Sequence, residues 1–178
     1  MKRFRISKLI LIFVIIATLV IGSSSISFAA TSVKKVNYLG GGQVEISFAS
    51  KTTYKSLKIS ITDNAGTSYK SKVSSKSSNK VSFKIYNYKT GKNYRVEISG
   101  LKNGNASASF QIISQKKAIS IAKKKAKILG ATKFNNVEAE STKYRGTAVW
   151  KVTFDSNGAN YTYHIQQQTG KVLRGEKK

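Results

Sequence analysis

From Thr31 to Ile112 apolar and polar residues alternate with a period of two, and turn-forming residues interrupt the alternation at roughly 8- to 12-residue intervals. The alternation predicts strands near residues 33–38, 43–48, 54–62, 67–73, 80–86, 93–100 and 106–112. Their inward sets are Val44/Ile46/Phe48, Leu57/Ile59/Ile61, Val81/Phe83/Ile85 and Tyr94/Val96/Ile98. Between them lie Gly40-Gly41-Gly42, Asp63-Asn64-Ala65-Gly66, a polar loop from Ser74 to Asn79, Thr90-Gly91-Lys92 and Asn103-Gly104-Asn105. Short strands at this spacing predict an all-β sandwich.

At Ser114 the period changes from 2 to 3.6. Ser114 is placed as an N-cap, and Gly130 as the C-terminal cap of a helix. At 100° per residue, Lys116, Lys117, Lys123, Lys124 and Lys127 share one arc with Ser120. Ala118, Ile119, Ala122, Ala126 and Leu129 share the opposite arc, with Lys125 at the apolar border, where it would have to snorkel. The period then returns to two. A strand is expected around residues 136–142, then Ala148/Trp150/Val152/Phe154, a hairpin turn at Asp155-Ser156-Asn157-Gly158, Tyr161/Tyr163/Ile165, a turn at Thr169-Gly170 and a short strand from Val172. One helix on an antiparallel sheet of three or four strands gives a small α+β module, its apolar arc against the Trp150 face.

Three stretches of this module, Ile113 to Ala122, Val149-Trp150-Lys151-Val152-Thr153-Phe154 and Tyr163 to Leu173, resemble the PepSY family. The resemblance implies a non-catalytic module that acts on or beside cell-envelope enzymes, since the family occurs in propeptides of thermolysin-like metallopeptidases and in many exported bacterial proteins. Two departures stand out. Lysines occupy the first helical turn, where the family pattern commonly has acidic residues, and Gln166-Gln167-Gln168 replaces its acidic residue before the Thr-Gly turn. In the preceding region, Thr90 to Ile98 is similar to the sixth strand of fibronectin type III and other immunoglobulin-like domains. The similarity makes Tyr94 the corner tyrosine, its hydroxyl anchored on nearby backbone. The expected organisation is therefore a segment 1–29, an immunoglobulin-like sandwich at 30–112 and a PepSY-like module at 113–178, with almost no linker between the last two.

Segment 1–29 has the layout of an export signal: Lys2, Arg3, Arg5 and Lys8, an uncharged run from Leu9 to Gly22, and Ser27-Phe28-Ala29 as a small-residue cleavage site. The run is short for a spanning helix of about 20 residues, which favours a cleaved signal over the alternative of a permanent anchor. With no cysteine in the chain, a lipoprotein anchor, disulfides and thiolate metal sites are all excluded. The chain also lacks proline, leaving its turns to Gly and Asn.

Charge adds a second theme. The chain has 32 basic and 7 acidic residues, and without the four basic residues of the signal 28 still face 7. The excess is spread evenly, with 14 basic against 3 acidic residues in 31–112 and 14 against 4 in 113–178. A field of this sign attracts polyanions, which outside a cell are wall polymers, anionic headgroups or extracellular DNA. Lysine-rich composition for its own sake is the alternative explanation.

Catalytic chemistry is hard to build from these residues. His164 is the only histidine and is expected as a solvated strand residue, so a Ser-His-Asp arrangement is not predicted. One histidine and seven scattered carboxylates predict no metal site. Glu138 and Glu140 share a strand face but read as a local acidic spot, not a glycosidase dyad. Gly40 to Gly42 lacks the Lys-Ser/Thr of a phosphate loop. Most tyrosines fall at inward positions, which argues against specific nucleic-acid stacking while leaving salt-sensitive adhesion.

Two functions follow. The PepSY resemblance implies a regulator that binds an extracellular peptidase or wall hydrolase, with an exposed sheet edge as the means of contact. The charge implies an envelope protein held on anionic wall polymers or a membrane surface, with Lys116, Lys117, Lys123, Lys124 and Lys127 as candidate binding residues. No catalytic, cofactor or metal residues are assigned.

Overall fold

The computed structural model describes residues 30–178, so the segment read as an export signal lies outside the described residues. The elements are β1 (Val33–Gly40), β2 (Gln43–Phe48), β3 (Tyr54–Asp63), β4 (Ser71–Ser77), β5 (Lys80–Ile85), β6 (Lys92–Leu101), β7 (Ala106–Ile112), α1 (Gln115–Ile128), β8 (Asn135–Tyr144), β9 (Thr147–Ser156), β10 (Ala159–Gln166) and β11 (Val172–Lys177). The first seven strands form two antiparallel sheets, ordered β1-β2-β5-β4 and β3-β6-β7. The last four form a third, ordered β11-β10-β9-β8.

Alternation puts the predicted apolar residues between the first two sheets. Val44 pairs with Phe83 and Ile46 with Val81 across β2 and β5, while Ile61 pairs with Val96 and Ile59 with Ile98 across β3 and β6. These side chains share one core with Tyr38, Phe48, Ile85, Tyr94, Phe110 and Ile112. Burying each large apolar side chain contributes about 1.5–3 kcal/mol before chain entropy is charged against it. Tyr94 is central: its ring stacks on Phe110 at 5.3 Å and meets the edge of Tyr69 at 5.3 Å. Its hydroxyl donates to the carbonyl of Lys89 (2.6 Å) and accepts from the Lys89 N–H (2.8 Å). Burial pushes the pKa of this phenol up to about 12, outweighing the backbone hydrogen bond at Lys89, which favours the ionised form.

The fourth strand departs from expectation. The alternation placed it at 67–73 with a loop from 74 to 79, but β4 spans Ser71–Ser77, and Ser68 makes only an isolated bridge to Thr62. Residues 72–77 are all exposed, because β4 is an edge strand held by main-chain pairing to β5. An edge strand that buries no face has no apolar period to display. Its lysines, Lys72 and Lys76, discourage pairing with another chain.

In the third sheet, Trp150, Val152 and Phe154 of β9 and Tyr161, Tyr163 and Ile165 of β10 point toward α1 and meet Ala118, Ala122 and Ala126. The division of volume explains the sequence: aromatic rings rise from the sheet, so the helix can present only methyl groups at its buried i, i+4, i+8 row. Phe154 stacks with Tyr161 at 5.4 Å and takes the edge of Phe134 at 5.2 Å.

The two cores meet at consecutive residues, Ile112 belonging to the first and Ile113 to the second. The Ile113 N–H donates to the Gln167 carbonyl (2.8 Å), and the Trp150 indole N–H donates to the Ile113 carbonyl (3.0 Å). Gln168 reaches the other way. Its amide Nε2 donates to the Val36 carbonyl and its Oε1 accepts from the Tyr38 N–H, both at 2.9 Å. Ala148 of β9 also enters the first core, close enough to β1 that a Cβ on Gly40 would sit 3.3 Å from the Ala148 Cβ.

Candidate functional site

Local sequence sets both ends of α1. The Ser114 hydroxyl accepts from the Lys117 N–H (3.1 Å) as an N-cap, and no acidic residue lies in the first turn. At the other end Gly130, with φ +87°, lets its N–H reach the Lys127 carbonyl, while the Ala131 N–H reaches that of Ala126. The paired bonds close the helix as a Schellman motif. Lys125 and Lys127 in the last turn suit the negative end of the helix dipole, whereas Lys116 and Lys117 oppose the positive end.

Lys116, Lys123, Lys124 and Lys127 line one shallow groove of about 540 Å³, with Ile119, Ser120 and Phe134. Lys117 is exposed but stands outside it, so four of the five predicted lysines are brought together. Lys123 is half-buried, its ammonium 5.2 Å from the centre of the Phe134 ring. A cation over an aromatic face is held in place by attraction to the ring. Among the described residues, every ion pair joins groups outside α1: Lys80–Glu45, Lys92–Asp63, Arg95–Glu97, Lys151–Glu140 and Arg174–Glu176. The helix therefore presents six lysines, Lys125 included, with no carboxylate paired to them.

One placement on the helix needs correction. Leu129, assigned to the apolar arc, is the C-cap residue and is exposed, because the chain leaves helical geometry there (ψ 15°). Lys125, placed at the apolar border, is exposed. Phe134 is the groove residue that sequence periodicity missed, since it lies between the helix and β8 and belongs to neither period.

A second groove of about 470 Å³ runs between the start of α1 and β8, lined in part by Gln115, Ile119, Val137 and Ala139. β8 is an edge of its sheet among the described residues. The Gln115 side-chain amide donates to the Ala139 carbonyl (2.6 Å), occupying one acceptor of that strand. Glu138 and Glu140, with Lys151 and Thr153, line the same groove from the other face of β8, and Glu140 pairs with Lys151 at 3.0 Å.

His164 is not the solvated residue expected. It is half-buried beneath Tyr144, ring centres 4.6 Å apart, and its Nδ1 is buried without a hydrogen-bond partner. Tyr144 in turn packs under the guanidinium groups of Arg145 and Arg174. Burial first, then the charges of Arg174 and Lys151, push the His164 pKa below the usual imidazole value. Among the described residues no three His, Asp or Glu side chains converge as a metal site would require. Tyr38, Tyr94, Tyr161 and Tyr163 are buried. Among the described residues no helix is long and apolar enough to cross a membrane.

Residues 112–176 match the PepSY family, described as peptidase propeptide and YPEB domain. The matched stretch takes in α1 and the third sheet almost to the end of β11. No curated protein and no solved structure matches the chain.

Proposed function

We propose that this chain, with a PepSY domain at residues 112–176, is an exported, non-catalytic protein that binds and regulates an extracellular peptidase or cell-wall hydrolase, inhibiting or restraining it. The family match carries the reading, since its description names the peptidase propeptide. In this scheme residues 1–29 are a cleaved signal and residues 113–178 the regulatory module. Residues 30–112 are an immunoglobulin-like sandwich that displays the module. The two strand orders, β1-β2-β5-β4 and β3-β6-β7, and the Tyr94 anchor on Lys89 support that assignment.

The β8 edge offers the means of contact. A strand of the enzyme laid along β8 would bond through main-chain groups and drop side chains into the groove between Ile119 and Val137. The Gln115 amide occupies the Ala139 carbonyl, so a partner strand that used this acceptor would have to displace it. The test is a titration of residues 30–178 against a thermolysin-type peptidase from the same bacterium, at low and at high salt. Dose-dependent inhibition that persists at high salt supports the reading; no inhibition, or inhibition abolished by salt, defeats it.

A second reading is favoured by the lysine face of α1: a basic envelope protein held on anionic wall polymers or an anionic membrane surface, with an adhesive or spacer role. Six lysines on one 14-residue helix, with no carboxylate paired to them among the described residues, retain an attraction for a polyanion that neighbouring carboxylates would otherwise weaken. Binding through exposed lysines falls steeply with ionic strength, and retention that ignores salt would exclude it.

A further inference from the structure

Four large apolar side chains are exposed among the described residues: Val73 at 36 %, Tyr86 at 41 %, Leu129 at 57 % and Ile128 at 74 %. The two most exposed are adjacent and close the lysine helix. Their exposure follows from how the helix ends. The Schellman turn buries Ala131 against the Ala126 side of α1, and residues 128 and 129, on the outside of that turn, are left facing solvent. Around them Lys124 and Lys125 lie one helical turn back, Lys127 directly before, and Lys133 on the loop beyond; all four are exposed. None pairs with a carboxylate among the described residues.

We infer that this end of α1 docks on an anionic lipid bilayer, with Ile128 and Leu129 entering the boundary between headgroups and acyl chains and Lys124, Lys125, Lys127 and Lys133 meeting the phosphates. The inference rests on the second reading above, that the helix lysines meet an anionic partner, and narrows it to one. A wall polymer or nucleic acid engages lysines but offers two protruding aliphatic side chains nothing. A bilayer interface rewards both, the apolar pair by burial and the lysines by the negative surface potential. The attachment is peripheral, because the apolar surface is two side chains and not a spanning segment.

The test is vesicle co-sedimentation of residues 30–178, which carry every described strand and both cores, on neutral phosphatidylcholine and on vesicles containing phosphatidylglycerol. Binding to long-chain polyphosphate is measured in parallel. The wild-type chain is expected to bind the anionic vesicles and not the neutral ones. Ile128→Ser with Leu129→Ser should lower vesicle partitioning about tenfold or more while leaving polyphosphate binding unchanged. Both positions are exposed, so folding is expected to survive, with circular dichroism as the control. A double variant that partitions like wild type overturns the inference and leaves the polyanion reading standing. So does a wild-type chain that binds polyphosphate but no vesicles. Binding to neither overturns both. A wild-type dimer that the double variant dissociates shows the apolar pair covered by a second copy, and also overturns it.

Discussion

Gln168 pairs with Val36 as one residue of a β-strand pairs with another: amide Nε2 to the Val36 carbonyl, and Oε1 receiving the Tyr38 N–H two residues on. β1 is the outer strand of its sheet, so a single side chain covers part of an edge that would otherwise be open. Only a carboxamide both donates and accepts in this way; a carboxylate would turn an acceptor toward the Val36 carbonyl. That gives a physical reason for glutamine at position 168.

Gln168→Glu and Gln168→Ala should each destabilise the chain by about 1–2 kcal/mol, read from urea unfolding, with Glu no better than Ala at neutral pH. If Glu matches wild type, the donor to Val36 contributes nothing.

Gly100 has φ +79°, and a Cβ there would fall 2.0 Å from the Ser56 carbonyl oxygen, where the β3–β6 register shifts between Tyr54 and Lys58. Gly100→Ala must therefore move β3 or abandon the left-handed backbone. A loss of about 2–3 kcal/mol is expected, whereas an alanine at Gly66, whose Cβ would meet open space, should cost less.

The buried Asp63 carboxylate receives the N–H groups of Ala65 and Thr67, the Tyr69 hydroxyl and the Lys92 ammonium. Burial alone would raise its pKa, but these hydrogen bonds outweigh burial and hold it well below the usual carboxylate range. A pKa depressed by folding stabilises the native state above the unfolded value near 4. The contribution is lost as pH falls from there toward the folded value. Asp63→Asn should thus lower the melting midpoint at pH 7, and its deficit against wild type should narrow as pH is taken from 5 to 2. A deficit independent of pH would assign the effect to packing.

Replacing Lys116, Lys117, Lys123, Lys124 and Lys127 with Gln should weaken retention on isolated cell walls or anionic vesicles by an order of magnitude or more at about 0.15 M salt. Folding should be intact or slightly improved, since Lys116 and Lys117 oppose the helix dipole. Unchanged retention in that variant would place polyanion contact elsewhere.

Much of the fold was legible because burial on one side writes a period into the chain. β2, β5, β6, β9 and β10 each present alternating buried residues, and the helix ends at its predicted caps. Where an element buries no face, as in β4, the period vanishes and the boundary was misplaced. The candidate site was half legible. Helical spacing grouped the lysines, but Phe134 enters their groove from a loop, and the Leu129 side chain turns outward where the 100° rule ceases to apply. The Gln168 contact with Val36 spans 132 residues, and no local pattern announces a polar bond across that separation.

Proteases cut most readily where chain is exposed, polar and free to adapt to a cleft. Between Ile112 and Ile113 there is no such stretch, because one side chain is sealed in each core and the backbone on either side is hydrogen-bonded to Gly91 and Gln167. The junction between the two cores thus offers a protease no cleavable tether.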